Sequence, residues 1–181
     1  GDSGSNSKKA IEMIDSLNFF ENHIMPKIFI PDLIAVESWD NETNTIFYDD
    51  SIFDISSNTW FKKSKNPKQS IPSAQQSYNV FKDSHLNIIQ DDESGYVVLT
   101  IKHQSPFIAK KWTETVFEEI NSFYRQKDKE QSQNSVIYLN EQMAKTRFSE
   151  IKQVTAELLG QEIQKLTLIE ANKDYVFEYV Y

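Results

Sequence analysis

A chain of 181 residues with 39% apolar side chains can fill the core of one ordinary domain, which excludes a disordered tail. Its net charge of −8 removes nucleic acid from the expected partners, because phosphate binding needs clustered excess Lys and Arg. Cysteine is absent, so there is no disulfide frame, no thiolate chemistry and no Cys-based zinc site.

The charge is lopsided: residues 1–60 carry three Lys against eleven Asp and Glu, a deficit equal to the whole net charge. The one basic cluster, "KKSKNPK" at 62–68, holds Pro67 and polar spacers and reads as a solvated loop rather than an anion site. No apolar run approaches the ~18 residues of a membrane span. The opening "GDSGSNSKKA" also lacks the apolar stretch of a signal peptide.

After a Gly/Ser-rich lead-in, Ser7 is placed to cap "SKKAIEMIDSLNFFENHI", where Ala10, Ile14, Leu17 and Phe20 recur at helical spacing, so one or two helices are expected. Pro26 and Pro31 bracket "KIFI" in an extended or turning segment. "LIAVESW" and "TIFYD" flank the polar "DNETN", a loop of hairpin length. Pro72 is expected in the first turn of a short helix, "SAQQSYNVFKDS". "HLNIIQ" and "YVVLTIK" then form the clearest hairpin, joined by "DDESG" with Gly95 where a positive φ is needed.

Ser105 is a natural N-cap and Pro106 takes the first helical position, where a missing N–H costs nothing. Ala109, Trp112, Val116, Ile120 and Phe123 make an apolar stripe that can dock on the sheet. Arg125–Ser135 contains no apolar side chain, yet it keeps strong helix formers and has neither Gly nor Pro. A helix from 106 to about 145 would be roughly 60 Å long. A compact globule of this size is only about 40 Å across, so the helix should project. The chain should return through residues up to about Ala171, with the tip at the polar stretch, at "KTRFS" near Thr146 or at Gly160. The closing "DYVFEYVY" reads as a strand that rejoins the base sheet.

The expectation is therefore an α+β protein with two parts. Residues 1–105 and 172–181 form a small α/β base with a mixed sheet, and 106–171 form a long protruding helical hairpin.

Chemistry is sparse. His23, His85 and His103 show no helical or hairpin spacing, so a metal site would have to be assembled wholly by the fold. "DNETNTIFYDDS" superficially resembles a calcium loop, but Thr45 stands where Gly is needed and Ser51 where Glu is needed. Asp49, Asp50 and Asp54 are candidates for paired carboxylates on a sugar, but acidic residues at strand ends read first as solvated. Trp39, Trp60 and Trp112 are candidate sugar-stacking rings that read first as core or interface. With four glycines there is no phosphate-cradling loop, and no nucleophile-elbow serine occurs. No catalytic, cofactor-binding or metal-ligating residue is assigned, and no cofactor is expected.

The ordered segments "SKKAIEMIDSLNFFENHI", "PDLIAVESWDNETNTIFYD", "SGYVVLTIKHQSPFIAKKWTETVFEEIN", "SVIYLNEQMAKT" and "LTLIEANKDYVFEYV" resemble the periplasmic portion of the bacterial polysaccharide co-polymerases, the Wzz-type O-antigen chain-length determinants. The "H.SP..A..W" element after a strand, followed by the "YL.EQ" helix, is the most specific part. The resemblance implies a protein of the bacterial inner membrane whose periplasmic domain lies between two transmembrane helices that this fragment lacks. It also implies a bell-like homo-oligomeric ring and no enzymatic activity. The modal length of lipopolysaccharide O-antigen would be set through contacts with the O-antigen polymerase and the growing polysaccharide. The leading strand usual in the family is missing, which would leave a sheet edge unpaired. Ile137, Leu139, Phe148, Ile151 and Leu158 on the outer hairpin are the expected contacts between subunits. The alternative reading is the periplasmic sensor or scaffold part of a capsule or exopolysaccharide co-polymerase tyrosine kinase.

Overall fold

A computed structural model describes residues 10–61, 71–91 and 97–172, which fall into two compact units, Gly1–Phe117 and Glu118–Tyr181. The boundary between the units falls inside a helix, after Phe117.

In the first unit, α1 covers residues 10–14. Ser16 then caps α2 (Leu17–Phe19), accepting the Phe19 N–H at 3.2 Å. The same helical path widens to a π-turn over Phe20–Ile24 and tightens to a 3₁₀ turn over Met25–Lys27. The expected helices are thus present, although the proposed cap at Ser7 lies outside the described residues. Only Ile28 and Phe29 of "KIFI" are extended. Ile30–Ile34 forms α3, with Pro31 in its first turn, where proline suits a helix better than a strand. "LIA" therefore closes a helix and does not open the next strand.

Strand β1 (Val36–Asp40) pairs antiparallel with β2 (Thr45–Tyr48) through the predicted polar loop, with a bulge between Val36 and Ser38. Asn44 adopts φ 51°, the left-handed conformation that Asn tolerates in tight turns. Asn58 does the same between β3 (Phe53–Asp54) and β4 (Thr59–Trp60).

Helix α4 (Ala74–Val80) starts one residue later than predicted. Ser73 and Gln76 form a reciprocal capping box, so Pro72 precedes the cap instead of occupying the first turn. The chain continues as a π-turn over Phe81–His85 and passes into β5 (Leu86–Gln90), which pairs antiparallel with β6 (Val97–Ile101) as the alternation predicted. Among the described residues the strands form three separate two-stranded antiparallel pairs instead of one mixed sheet. The expected closing strand lies outside the described residues.

The core of this unit is largely aromatic. Phe20 lies 5.9 Å from Tyr78 and 5.2 Å from Phe81, and Phe81 lies 6.1 Å from Trp112, measured between ring centroids. A second cluster joins Phe53 to Phe29, Tyr48 and Trp60.

Helix α5 runs unbroken from Pro106 to Lys145, straight through the polar stretch, as the absence of breakers predicted. Ser105 Oγ accepts the Ile108 N–H at 3.4 Å, a long capping bond on a fully buried serine. Of the predicted stripe, Trp112, Val116 and Ile120 are buried, while Ala109 and Phe123 are half-buried.

In the second unit, α5 turns back at Thr146–Phe148 into α6 (Ser149–Ala171). The "KTRFS" segment is therefore the tip. The two helices are antiparallel, with Lys129 Nζ 2.8 Å from Glu170 Oε1 and Arg125 Nη1 3.5 Å from the Asn172 carbonyl. The Lys129 ammonium holds the Glu170 carboxyl below its usual range, so that contribution is present above the ordinary glutamate pKa and fades as the carboxylate is protonated in acid. Gly160, the other proposed tip, continues the helix.

Two stability outcomes follow from these placements. A Cβ built on Gly160 meets nothing within 4 Å, so Gly160→Ala should raise the unfolding free energy of the second unit by roughly 0.5–1 kcal/mol. Trp112→Ala should lower stability by about 3–5 kcal/mol, because a fully buried ring leaves a cavity among rings that cannot all close over it. Urea titrations followed by circular dichroism would measure both.

Candidate functional site

The first unit brings His85 and His103 together, which the sequence reading did not foresee. In the β5–β6 ladder Leu86 faces Ile101, so His85 and His103 flank the open end of the hairpin. Their rings stack at 5.7 Å with planes 22° apart, and Trp112 meets them edge-on at 5.3 and 5.1 Å. The overlooked signal was cross-strand register: residues just outside a hairpin become neighbours whatever their spacing along the chain.

Every ring nitrogen of His103 is engaged. Its Nδ1 accepts the Ser105 N–H at 2.9 Å and therefore carries no proton, while Nε2 lies 2.9 Å from the Asp32 carbonyl and must donate. That is the neutral Nε2–H tautomer, locked by backbone groups on both sides. His85 places Nδ1 2.7 Å from the Lys102 carbonyl. Burial is the strongest influence on His85 and pulls its pKa below the ordinary histidine value, outweighing the carbonyl acceptors of Lys102 and Leu33. Asp32 links this corner to β2, since the Tyr48 hydroxyl donates to Asp32 Oδ1 at 2.6 Å. Burial first, and that carboxylate second, raise the Tyr48 pKa far above the ordinary tyrosine value.

Two of the three carboxylates singled out as possible acid–base groups, Asp49 and Asp54, cap turns. Asp49 Oδ1 accepts the Ser51 N–H and hydroxyl at 2.8 and 2.6 Å. Asp54 accepts the hydroxyls of Ser56 and Ser57, both at 2.6 Å, and the Ser56 N–H, and these donors hold its pKa down at about 2. A catalytic acid needs the opposite shift. Asp40, at the start of the supposed calcium loop, accepts from the Thr43 hydroxyl and the Glu42 N–H, which lower its pKa. Asp50 is exposed beside them.

The three tryptophans likewise have packing roles. Trp112 is buried, Trp60 packs 5.0 Å from Phe53, and Trp39 donates its indole N–H to Asn44 Oδ1 at 2.9 Å, bracing the β1–β2 turn. Among the described residues no group of three His, Asp or Glu is arranged to hold a metal ion.

In the second unit, α6 carries Ile151, Val154 and Leu158 at spacings of three and four, and all three are about half exposed, at 51, 56 and 45%. Phe148 at the tip and Ile137 on α5 are also exposed, while Leu139 is half-buried. Leu139 and Leu158 line a cleft of about 660 Å³ between the two helices, together with Tyr138 and Gln161.

The histidine corner yields a pH outcome with a definite sign. A His85 pKa lower in the folded than in the unfolded chain means that folding favours the neutral ring. The stabilisation is complete above the unfolded value near 6.5 and is lost as pH falls from there through the depressed folded value. The urea midpoint should therefore drop between pH 7.5 and 5.5, and His85→Gln should flatten that slope. An unchanged slope in the variant would remove His85 as its source.

No family model, curated protein or solved structure matches the chain, so its function has to be read from its own residues.

Proposed function

We propose that the chain is the periplasmic part of a non-catalytic regulator of surface-polysaccharide chain length, of the Wzz type. It would work as a homo-oligomeric ring beside the O-antigen polymerase and its growing glycan, and be held in the bacterial inner membrane by flanking helices outside this sequence. The observation that carries the reading is the α6 stripe of Ile151, Val154 and Leu158, apolar side chains at helical spacing that are each left about half open to water. Soluble monomers rarely leave such a stripe open, and a second copy of the same hairpin is the simplest cover.

Two further features support it. Of the acid–base candidates, Asp49 and Asp54 cap turns, and Asp54 is driven to a lower pKa, the opposite of a catalytic acid. The order of elements also agrees with the resemblance: a hairpin, the "H.SP..A..W" start of a long helix, then a helical return. Within that element His103 and Ser105 set the helix start and Trp112 is its buried anchor.

Deleting the gene should abolish the modal length of the lipopolysaccharide ladder on a gel, and full-length protein should restore it. Ile151→Glu or Leu158→Glu should weaken assembly in sedimentation and blur the mode while polymer is still made, since each covered apolar side chain contributes about 1.5–3 kcal/mol. Asp49→Asn and Asp54→Asn should leave the ladder unchanged. A ladder lost through either Asp substitution with the oligomer intact would mean chemistry at that site and would overturn the reading.

A further inference from the structure

The cleft between α5 and α6 is lined by a mixture of carboxamide, hydroxyl, aromatic and aliphatic side chains. Gln131, Asn134 and Gln161 bring three carboxamides to it, Ser135 a hydroxyl, and Tyr138 a ring with a phenolic tip. Tyr138 is 61% exposed, so its ring is open to a ligand and is not consumed in packing. Leu139 and Leu158 give the cleft an apolar floor.

A packed helix pair would bring apolar side chains to its seam. Leu139 and Leu158 do so here, while the exposed carboxamides of Asn134 and Gln161 make no hydrogen bond among the described residues. A carboxamide donates and accepts at once, which suits a hydroxyl, a group with the same double capacity. An aromatic ring beside such groups supplies an apolar face for the C–H side of a sugar. The charges at the cleft are Lys127 against Glu130 and Glu162, a net negative balance that disfavours phosphate or another polyanion. Glu162 also keeps Oε2 shielded from water without a donor, so a hydroxyl arriving beside that carboxylate would be stabilised. About 660 Å³ lies within the range of small-ligand sites and is room for a few sugar rings.

We propose that this cleft binds a short segment of a neutral, hydroxyl-rich polysaccharide, with Asn134 and Gln161 as the principal hydrogen-bonding residues and Tyr138 as the ring against which a sugar lies. The choice of polysaccharide rests on the function proposed above; the cleft chemistry does not. The site is separate from the Ile151 and Val154 positions of the assembly stripe, although Leu158 touches both.

The test is titration of the 181-residue chain with lipid-free surface polysaccharide released from the bacterium that carries the gene, followed by two-dimensional NMR. Saturable shifts should map to residues 131–138 and 158–162. Asn134→Ala, Gln161→Ala and Tyr138→Ala should each weaken binding by about tenfold, the loss of one or two net interactions. Gln164→Ala, an exposed α6 position outside the cleft, should bind as the parent chain does. All four side chains are exposed, so the variants should keep the parent circular dichroism spectrum and urea midpoint. Absence of saturable shifts, or affinity indifferent to the three cleft substitutions, would overturn the proposal. So would a change of oligomeric state in Asn134→Ala and Gln161→Ala with polysaccharide affinity intact, because the cleft would then seat another copy of the chain. Failure here with a normal gene-deletion phenotype would leave chain-length control standing. Binding without any change in the ladder on deletion would leave the cleft standing and remove the proposed function.

Discussion

The first unit is organised around one indole. Trp112 lies one turn and a half into α5, is almost wholly buried, and meets Phe81, His85 and His103 at once. Those three rings come from the π-turn after α4 and from the two ends of the β5–β6 hairpin. A ring of that size carries the largest apolar area a side chain can bury, and here it is spent joining a helix, a turn and a hairpin that are separate in sequence. His103 adds direction to this packing. By accepting from the Ser105 N–H and donating to the Asp32 carbonyl, it fixes where α5 begins and ties that point to α3. That direction depends on the bare Nδ1, the acceptor that Ser105 uses.

The backbone of the design was legible because it follows local rules. The Ser105–Pro106 start, the uninterrupted helix formers through Arg125–Ser135 and the β-branched alternation of β5 and β6 each act within a few residues. The less legible parts depend on competition or on distance. Pro72 and Ser73 are both acceptable at a helix start, and the reciprocal Gln76 bond decided between them. Pro31 suited a turn or a first helical turn, and burial of Leu33 favoured the helix. The hairpin tip at Thr146–Phe148 contains neither Gly nor Pro, so nothing in it competes visibly with Gly160, which a long helix tolerates at modest cost.

The same distinction separates the functional candidates. Acidic residues clustered at strand ends looked like possible chemistry, but Asp40, Asp49 and Asp54 each take the N–H or hydroxyl two or three residues ahead, which is what Asp does in a tight turn. The His85–His103 pair was invisible because hairpin register, not spacing, creates it. Leu139 was grouped with the outer contacts by periodicity alone, and it lies on the cleft side of α5, half-buried, because a stripe on a helix does not say which of two neighbours it faces.

The second unit is built of parts with opposite demands. Ile151 and Val154 leave an apolar helical face open, and water penalises that in proportion to its area until another surface covers it. The cleft between α5 and α6 mixes the aliphatic side chains of Leu139 and Leu158 with carboxamides, hydroxyls and carboxylates, most of them open to water. An apolar stripe left half exposed gives up burial that another surface would restore. The outward face suits a like, apolar surface, and the seam suits a ligand that brings its own donors and acceptors. The two surfaces therefore make different demands of whatever covers them: the stripe gains from losing water, whereas the cleft gains only from a group that replaces the hydrogen bonds water makes there.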